Sequence, residues 1–285
     1  PGVEMITWLR DQLSRERKLQ MIWAVEGERG RSYLVGSAHF FPYCFARSLR
    51  RFISRVETVL FEGPLDEESA RMVVEYGSRG EGRPCLVDAL DPETIGRITK
   101  DLGAGVGTQS SHQMLQSLLG VQTDTLDWDR IKTMRPWMAF FQIWSYYLRK
   151  NGWTFNMELD ALRVAKATGR RVHYLETIEE QIEALDNVPF ERFVRFLTRT
   201  DWGESRRNHL ECYLRGDLER LMARVSGYPT VCEAIIDNRD PILYERMRKF
   251  LEEGQAIAFV GTAHCPGIMT RLRADGYTVS RPAVL

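Results

Sequence analysis

Tyr33-Leu34-Val35-Gly36-Ser37-Ala38-His39 and Thr58-Val59-Leu60-Phe61-Glu62-Gly63-Pro64 frame the segment that decides the fold. Each is a short apolar run closed by a glycine turn. Between them, Phe45–Val56 places its apolar residues at helical spacing. Strand, helix, strand over Tyr33–Glu62 is the alternation that builds a parallel sheet with a crossover helix. Just upstream, Met21–Glu26 and Arg31–Gly36 are joined by Gly27-Glu28-Arg29-Gly30 and read as a β-hairpin. Far downstream the first run has a counterpart. Ala258-Phe259-Val260-Gly261-Thr262-Ala263-His264 repeats its form: apolar strand, glycine, small hydroxyl residue, alanine, histidine.

Other elements follow from the same rules. Asp66–Ser78 reads as a helix, Cys85–Val87 as a short strand, and Asp91-Pro92-Glu93 as the capped start of another helix. From Gly103 to about Tyr228 helical patterns dominate: Ser111–Leu119, Trp128–Lys150, Asn156–Thr168, Thr177–Leu185, Phe190–Leu197 and Ser205–Val225. One strand, Arg171–Leu175, interrupts them. Sheet pattern returns at Gln255–Val260 and ends at Tyr277–Ser280. The expected fold is α/β: a central mixed, largely parallel sheet formed by both chain ends, with a helix-rich middle covering the sheet edge.

Composition narrows the function. With 285 residues, 44% of them hydrophobic, the chain can bury a sizeable core. Lys+Arg and Asp+Glu are both 39, so no global positive field draws it to nucleic acid, and no nucleic-acid partner is expected. Arg47, Arg50, Arg51 and Arg55 fall at helical spacing and read as a solvated helix face. The five cysteines (Cys44, Cys85, Cys212, Cys232 and Cys265) are dispersed, and no Cys-x-x-Cys occurs, which argues against a disulfide framework or zinc ribbon. No apolar run reaches the about 18 residues a membrane span needs. Trp137–Tyr147 is aromatic-rich but holds Gln142 and Ser145, and reads as a buried helix. No signal-peptide pattern stands at Pro1–Arg10, so the expected localisation is cytoplasmic.

The residues able to carry chemistry gather where ligands collect in such sheets, beyond the carboxyl ends of strands. His39, Glu62 and His264 would all stand there. Two imidazoles and a carboxylate form a usual ligand set for Zn, Mn, Co or Fe(II). Without metal they could act as general base and orienting acid. Either histidine alone could simply cap a turn; the repetition favours a site. Asp240, before a helix over Pro241–Leu251, reads as its N-cap. Arg239 could grip a carboxylate or an oxyanion, or form a surface salt bridge. Glu158 and Asp160 read as first-turn acids favoured by the helix dipole. Glu180 completes a capping box with Thr177, and Glu176 is open between structure and site. His112, His173, His209 and Cys265 read as incidental. The chain has no Gly-x-Ser-x-Gly elbow, phosphate-binding glycine loop or His-Glu-x-x-His.

These residues together resemble the TraB/GumN family, related to Tiki proteins and more distantly to erythromycin esterases and ChaN-like proteins. The match runs from Ile22-Trp23-Ala24-Val25 and Tyr33 through Phe40, through Leu60-Phe61-Glu62-Gly63-Pro64, Arg135-Pro136-Trp137, Glu158-Leu159-Asp160, Leu175 through Gln181 and Arg239-Asp240, to Phe259 through His264 and Gly276 through Val279. It spans about residues 20–282. The resemblance implies one domain over 1–285, with a core at 20–102 and 229–285 and a helical cover at 103–228. It also implies that the two Gly-x-x-His motifs and a glutamate are the functional centre. Tiki relatives are described as metal-dependent peptidases, and TraB and PrgY as reducing peptide pheromone output. The implied activity is metal-dependent hydrolysis of a peptide or small acyl substrate. The expected centre is a divalent metal on His39, Glu62 and His264, with His39, Glu62, Arg239 and His264 catalytic. The competing expectations are a metal-free esterase-like hydrolase, and a non-catalytic protein that binds a peptide or haem-like ligand in the same pocket.

Overall fold

The computed structural model describes residues 15–102 and 126–282. The Ser111–Leu119 helix expected from the sequence lies outside the described residues. A hairpin opens the sheet: β1 (Ile22–Gly27) runs antiparallel to β2 (Gly30–Ser37), with Glu28-Arg29 at the turn. Helix α1 (Ala46–Ile53) then crosses to β3 (Thr58–Phe61). Helices α2 (Glu67–Gly77) and α3 (Pro92–Leu102) follow. The middle contributes α4 (Trp128–Lys132), α5 (Pro136–Lys150), α6 (Met157–Ala167), β4 (Arg171–Tyr174), α7 (Ile178–Asp186), α8 (Phe190–Thr198), α9 (Trp202–Arg215) and α10 (Leu218–Val225). The chain closes with α11 (Asp240–Glu253), β5 (Ala256–Gly261), a single 3-10 turn, α12 (Cys265–Ala274) and β6 (Thr278–Ser280).

The described strands form one sheet in the order β4-β3-β5-β2-β1-β6. Four neighbours, β4, β3, β5 and β2, are parallel, and β1 is antiparallel to both of its partners. β3 is buried along its whole length, and β5 everywhere but its last residue. That explains why their sequences are continuous apolar runs without alternation: a parallel sheet is covered on both faces. Connections from β2 to β3 and from β5 to β6 step in opposite directions along the sheet. Right-handed crossover therefore puts α1 and α12 on opposite faces. α1 packs against α6, and α12 against α11, completing the two layers.

Three expectations need correcting. Cys85–Val87 forms no strand; Leu86 and Val87 are buried, but in a turn. A short apolar run says that a segment is buried, not that it is extended. The Trp128–Lys150 helix is two helices. Pro136 starts α5 and forces Arg135 into extended backbone (φ −60°, ψ 148°), which ends α4 just before it. The Ser205–Val225 helix is also two. α9 stops at Gly216, left-handed at φ 72°, and Asp217 caps the next helix by accepting from the Arg220 amide.

α5 supplies core, with Trp137, Trp144 and Tyr147 all buried, so these rings do not line a groove. The Arg135-Pro136-Trp137 motif is a clamp on Asp186, whose carboxylate accepts from Arg135 Nη1 (2.5 Å) and Trp137 Nε1 (2.7 Å). A second aromatic cluster ties the middle helices to the carboxyl edge of the sheet. Phe41 bridges to Phe155 through the backbone and packs near Trp153, His209 and Tyr213. His209 stacks on Tyr213 at 6.2 Å between ring centroids, and burial pushes its pKa down to about 4. Folding thus favours the neutral imidazole. Its contribution is full above the unfolded value of 6.5 and is lost as pH falls through about 4. Urea unfolding across this range should show stability declining toward acid, and His209→Phe should flatten the decline. An unchanged slope in the variant would remove His209 from the acid response.

Candidate active site

The sheet register explains why the two motifs meet. Gly36 pairs with Val260 and Ser37 with Gly261 on adjacent parallel strands, so both chains turn off the same edge side by side. Where a side chain at Gly36 would begin stand Thr262 and Cys265 (3.2 Å), so the absence of a β-carbon lets the motifs pack closely without these neighbours having to shift. The small hydroxyls stitch them together. Thr262 Oγ1 donates to the Ser37 carbonyl (2.9 Å), and Ser37 Oγ donates to Glu158 Oε1 (2.8 Å). Tyr213, fully buried on α9, donates its hydroxyl to the Gly36 carbonyl (2.5 Å). Cys265 is fully buried and burial raises its thiol well above the ordinary range, so it is an inert packing residue.

Each histidine is backed by a carboxylate. His39 Nδ1 lies 2.8 Å from Glu158 Oε2; the imidazole is 59% exposed and the carboxylate 5%. Glu158 sits in the first turn of α6, which Asn156 caps by accepting from the Leu159 amide. The Glu158 charge raises the His39 pKa to about 9, which favours the protonated imidazole at neutral pH. His264 Nδ1 lies 2.6 Å from Asp240 Oδ1, and both side chains are buried. Asp240 therefore does not cap α11 as the sequence suggested. It is the first helical residue and its carboxylate is turned to the imidazole. Gly267 leaves room for this arrangement, since a β-carbon there would overlap the Asp240 carboxylate.

Arg239 and Glu62 complete the cluster. Arg239 makes a two-pronged pair with Glu176, from Nε to Oε1 (2.9 Å) and from Nη2 to Oε2 (2.5 Å). Its Nη2 also donates to Glu62 Oε2 (3.2 Å), and Nη1 lies 3.4 Å from His264 Nε2. Glu62 Oε1 accepts from the Gly261 amide and stands 3.8 Å from His264 Nε2. Burial alone would raise Glu62, but His264, Arg239, the Gly261 amide and His39 overcome it and hold the carboxyl at about 2. Arg239 is raised further because its carboxylate partners outweigh desolvation. A guanidinium only donates, so a neutral His264 would accept at Nε2 and carry its proton on Nδ1 toward Asp240.

The structure thus brings Glu62, Arg239 and His264 into contact, with His39 at the same edge and close enough to act on Glu62 electrostatically. The surface-salt-bridge alternative for Arg239 does not hold, because its side chain is 12% exposed. Glu158 and Asp240 were the residues sequence reasoning undervalued, each with a sufficient local explanation at a helix start, while Glu176, left open, joins the site through Arg239. The available signal was that a functional imidazole needs a partner for its second nitrogen. Asp160 turns elsewhere, to Arg163 (2.8 Å), and Glu180 joins its capping box to Arg246. Among the described residues no three His, Cys, Asp or Glu side chains stand as a ready-made metal site. A family model described as the TraB/PrgY/gumN family matches residues 21–281. No curated protein and no solved structure matches the chain.

Proposed function

Because the chain belongs to the TraB/PrgY/gumN family, we propose that it is a hydrolase of peptide or other acyl bonds, with His39, Glu62, Arg239 and His264 as its centre. The observation that carries this reading is the pair of imidazoles at adjacent strand ends, each held at Nδ1 by a buried carboxylate. That arrangement sets ring orientation and turns both Nε2 atoms away from the carboxylates, with His264 Nε2 facing Arg239 Nη1 at 3.4 Å. His264 presents a lone pair at Nε2 and can take a proton from water as it attacks the carbonyl carbon. His39, protonated and more than half exposed, can give its proton to the departing amine or alkoxide. Arg239 faces the same space and can stabilise the oxyanion.

The donor set also fits a divalent cation in its chemistry. His39, Glu62 and His264 would hold it, and Glu158 and Asp240 would orient the imidazoles. Bound there, the ion would supply a polarised carbonyl and a more acidic water. Arg239 stands 3.4 Å from His264 Nε2 and 3.2 Å from Glu62, so it would have to yield. This geometry favours the metal-free version, with the metal-dependent form as the second reading.

The test is hydrolysis of a peptide and ester library by protein purified without chelator, with metal content measured in parallel. Turnover lost with chelator and restored by Zn, Mn, Co or Fe supports the metal-dependent form. Turnover that resists chelator but disappears in His264→Ala supports the metal-free form. Stoichiometric binding of library members without any turnover would overturn the hydrolase reading.

A further inference from the structure

The arginine cluster of α1 is not an isolated helix face. α1 lies against α6, and the two loops that lead into β3 and β4 lie side by side. Arg170 Nη2 donates to the Ser54 carbonyl (2.9 Å), and Arg171 pairs with Glu57 (3.1 Å). Two stretches far apart in sequence therefore merge into one flank carrying Arg47, Arg50, Arg51, Arg55, Arg163, Lys166, Arg170 and Arg171. Six of these eight are exposed, while Arg51 and Arg170 are half-buried. Carboxylates answer only two of them: Asp160 pairs with Arg163 and Glu57 with Arg171. Glu16 adds a further carboxylate beside the start of α1, where it accepts from the Arg47 amide. The remaining six cations have no carboxylate within ion-pair distance among the described residues. On a chain with zero net charge, this is a strongly one-sided concentration.

We propose that this flank docks the protein on an anionic phospholipid bilayer. Fixed negative headgroups are complementary to a broad cationic face, and each added Lys or Arg strengthens attachment. The face is two helices wide, with neither helix standing free, whereas a DNA major groove admits a single helix. Among the described residues, the exposed large apolar side chains are Met72, Tyr76, Tyr174 and Ile242, none of them on α1 or α6. Those two helices therefore present no exposed ring on which to stack bases and no wedge to insert between acyl chains. Attachment is electrostatic, peripheral and reversible. No described helix is long and apolar enough to cross a membrane. Arg55, Arg170 and Arg171 lie at the amino ends of β3 and β4, opposite the carboxyl edge that carries His39 and His264.

Vesicle co-sedimentation of the full chain tests this independently of any hydrolytic activity. Wild type should sediment with phosphatidylcholine vesicles containing phosphatidylserine and not with phosphatidylcholine alone. Binding should fall by at least about tenfold as salt is raised, because screening shortens the reach of surface charge. Arg50→Glu/Arg55→Glu/Lys166→Glu should lose the binding, and Lys249→Glu on the opposite layer should keep it. Thermal melts check folding, and the milder Arg50→Gln/Arg55→Gln/Lys166→Gln variant, expected to weaken binding, replaces the triple glutamate variant if that one unfolds. Absence of wild-type binding, equal binding to both vesicle types, or equal loss in Lys249→Glu would overturn the proposal. So would tighter association with duplex DNA than with the anionic vesicles.

Discussion

Arg239→Ala should cost about 3–5 kcal/mol of folding stability, because it strands carboxylates that burial has left no other way to neutralise. Glu176 is the more exposed to this loss. Its side chain is 2% accessible, and both of its oxygens rest on the guanidinium. Glu62 keeps the Gly261 amide and His264 but loses its direct cation. Arg239→Lys should fall between wild type and alanine. An ammonium restores charge at one point but cannot span two oxygens of Glu176 and reach Glu62 as well. Because the two-pronged pair is buried, Arg239→Lys should lower both turnover and stability. Arg239→Met/Glu176→Leu should recover much of the loss, since replacing both members of a buried pair by apolar residues is often tolerated. Urea titrations of wild type, the single variants and the double variant form a cycle that isolates the pair. A loss below about 1 kcal/mol in Arg239→Ala would mean that the pair behaves as a solvated surface contact.

The parallel sheet was readable because its strands carry their own signals. Val59-Leu60-Phe61 and Ile257-Ala258-Phe259-Val260 are apolar on both faces, and glycines mark where the chain leaves the sheet. The repeated Gly-x-Ala-His pattern located both histidines at one edge because parallel register does the rest. Helix interruptions were harder. Gly216 and Pro136 sit inside long helical patterns, and periodicity continues across both because each break only redirects the buried stripe. Hardest were the carboxylates behind the imidazoles. Glu158 and Asp240 reach the site from helix starts, where an acidic residue already has a local reason to exist. Nothing in their own neighbourhood distinguishes capping or dipole stabilisation from holding a distant histidine. Only the packing of α6 and α11 against the strand ends decides it. The same holds for the basic flank, because the residues of α6 that extend it are remote in sequence from α1.

In the hydrolysis assay, Asp240→Asn should reduce turnover by at least about a hundredfold while leaving the protein folded. The asparagine amide can fill the space of the carboxylate, but it can no longer demand the proton at His264 Nδ1. With the imidazole free to place that proton on Nε2, the lone pair that the proposed base needs there would be lost. Glu158→Gln acts on the other dyad and should change the pH profile. With Glu158 present, His39 stays protonated up to about 9, so the proton-donating form persists well above neutrality. Glutamine removes the charge that outweighs burial, and His39 should then lose its proton at lower pH. The alkaline limb of kcat/KM should move toward neutral, with a smaller change at acid pH, where His39 is protonated in either protein. Ser37 still accompanies position 158 in the variant, so a packing defect would lower activity at every pH instead of shifting one limb. Profiles of wild type, Glu158→Gln and Asp240→Asn, each paired with a thermal melt, distinguish these outcomes. An alkaline limb that stays in place in Glu158→Gln would deny His39 the role of proton donor, and a fully active Asp240→Asn would deny His264 the role of base.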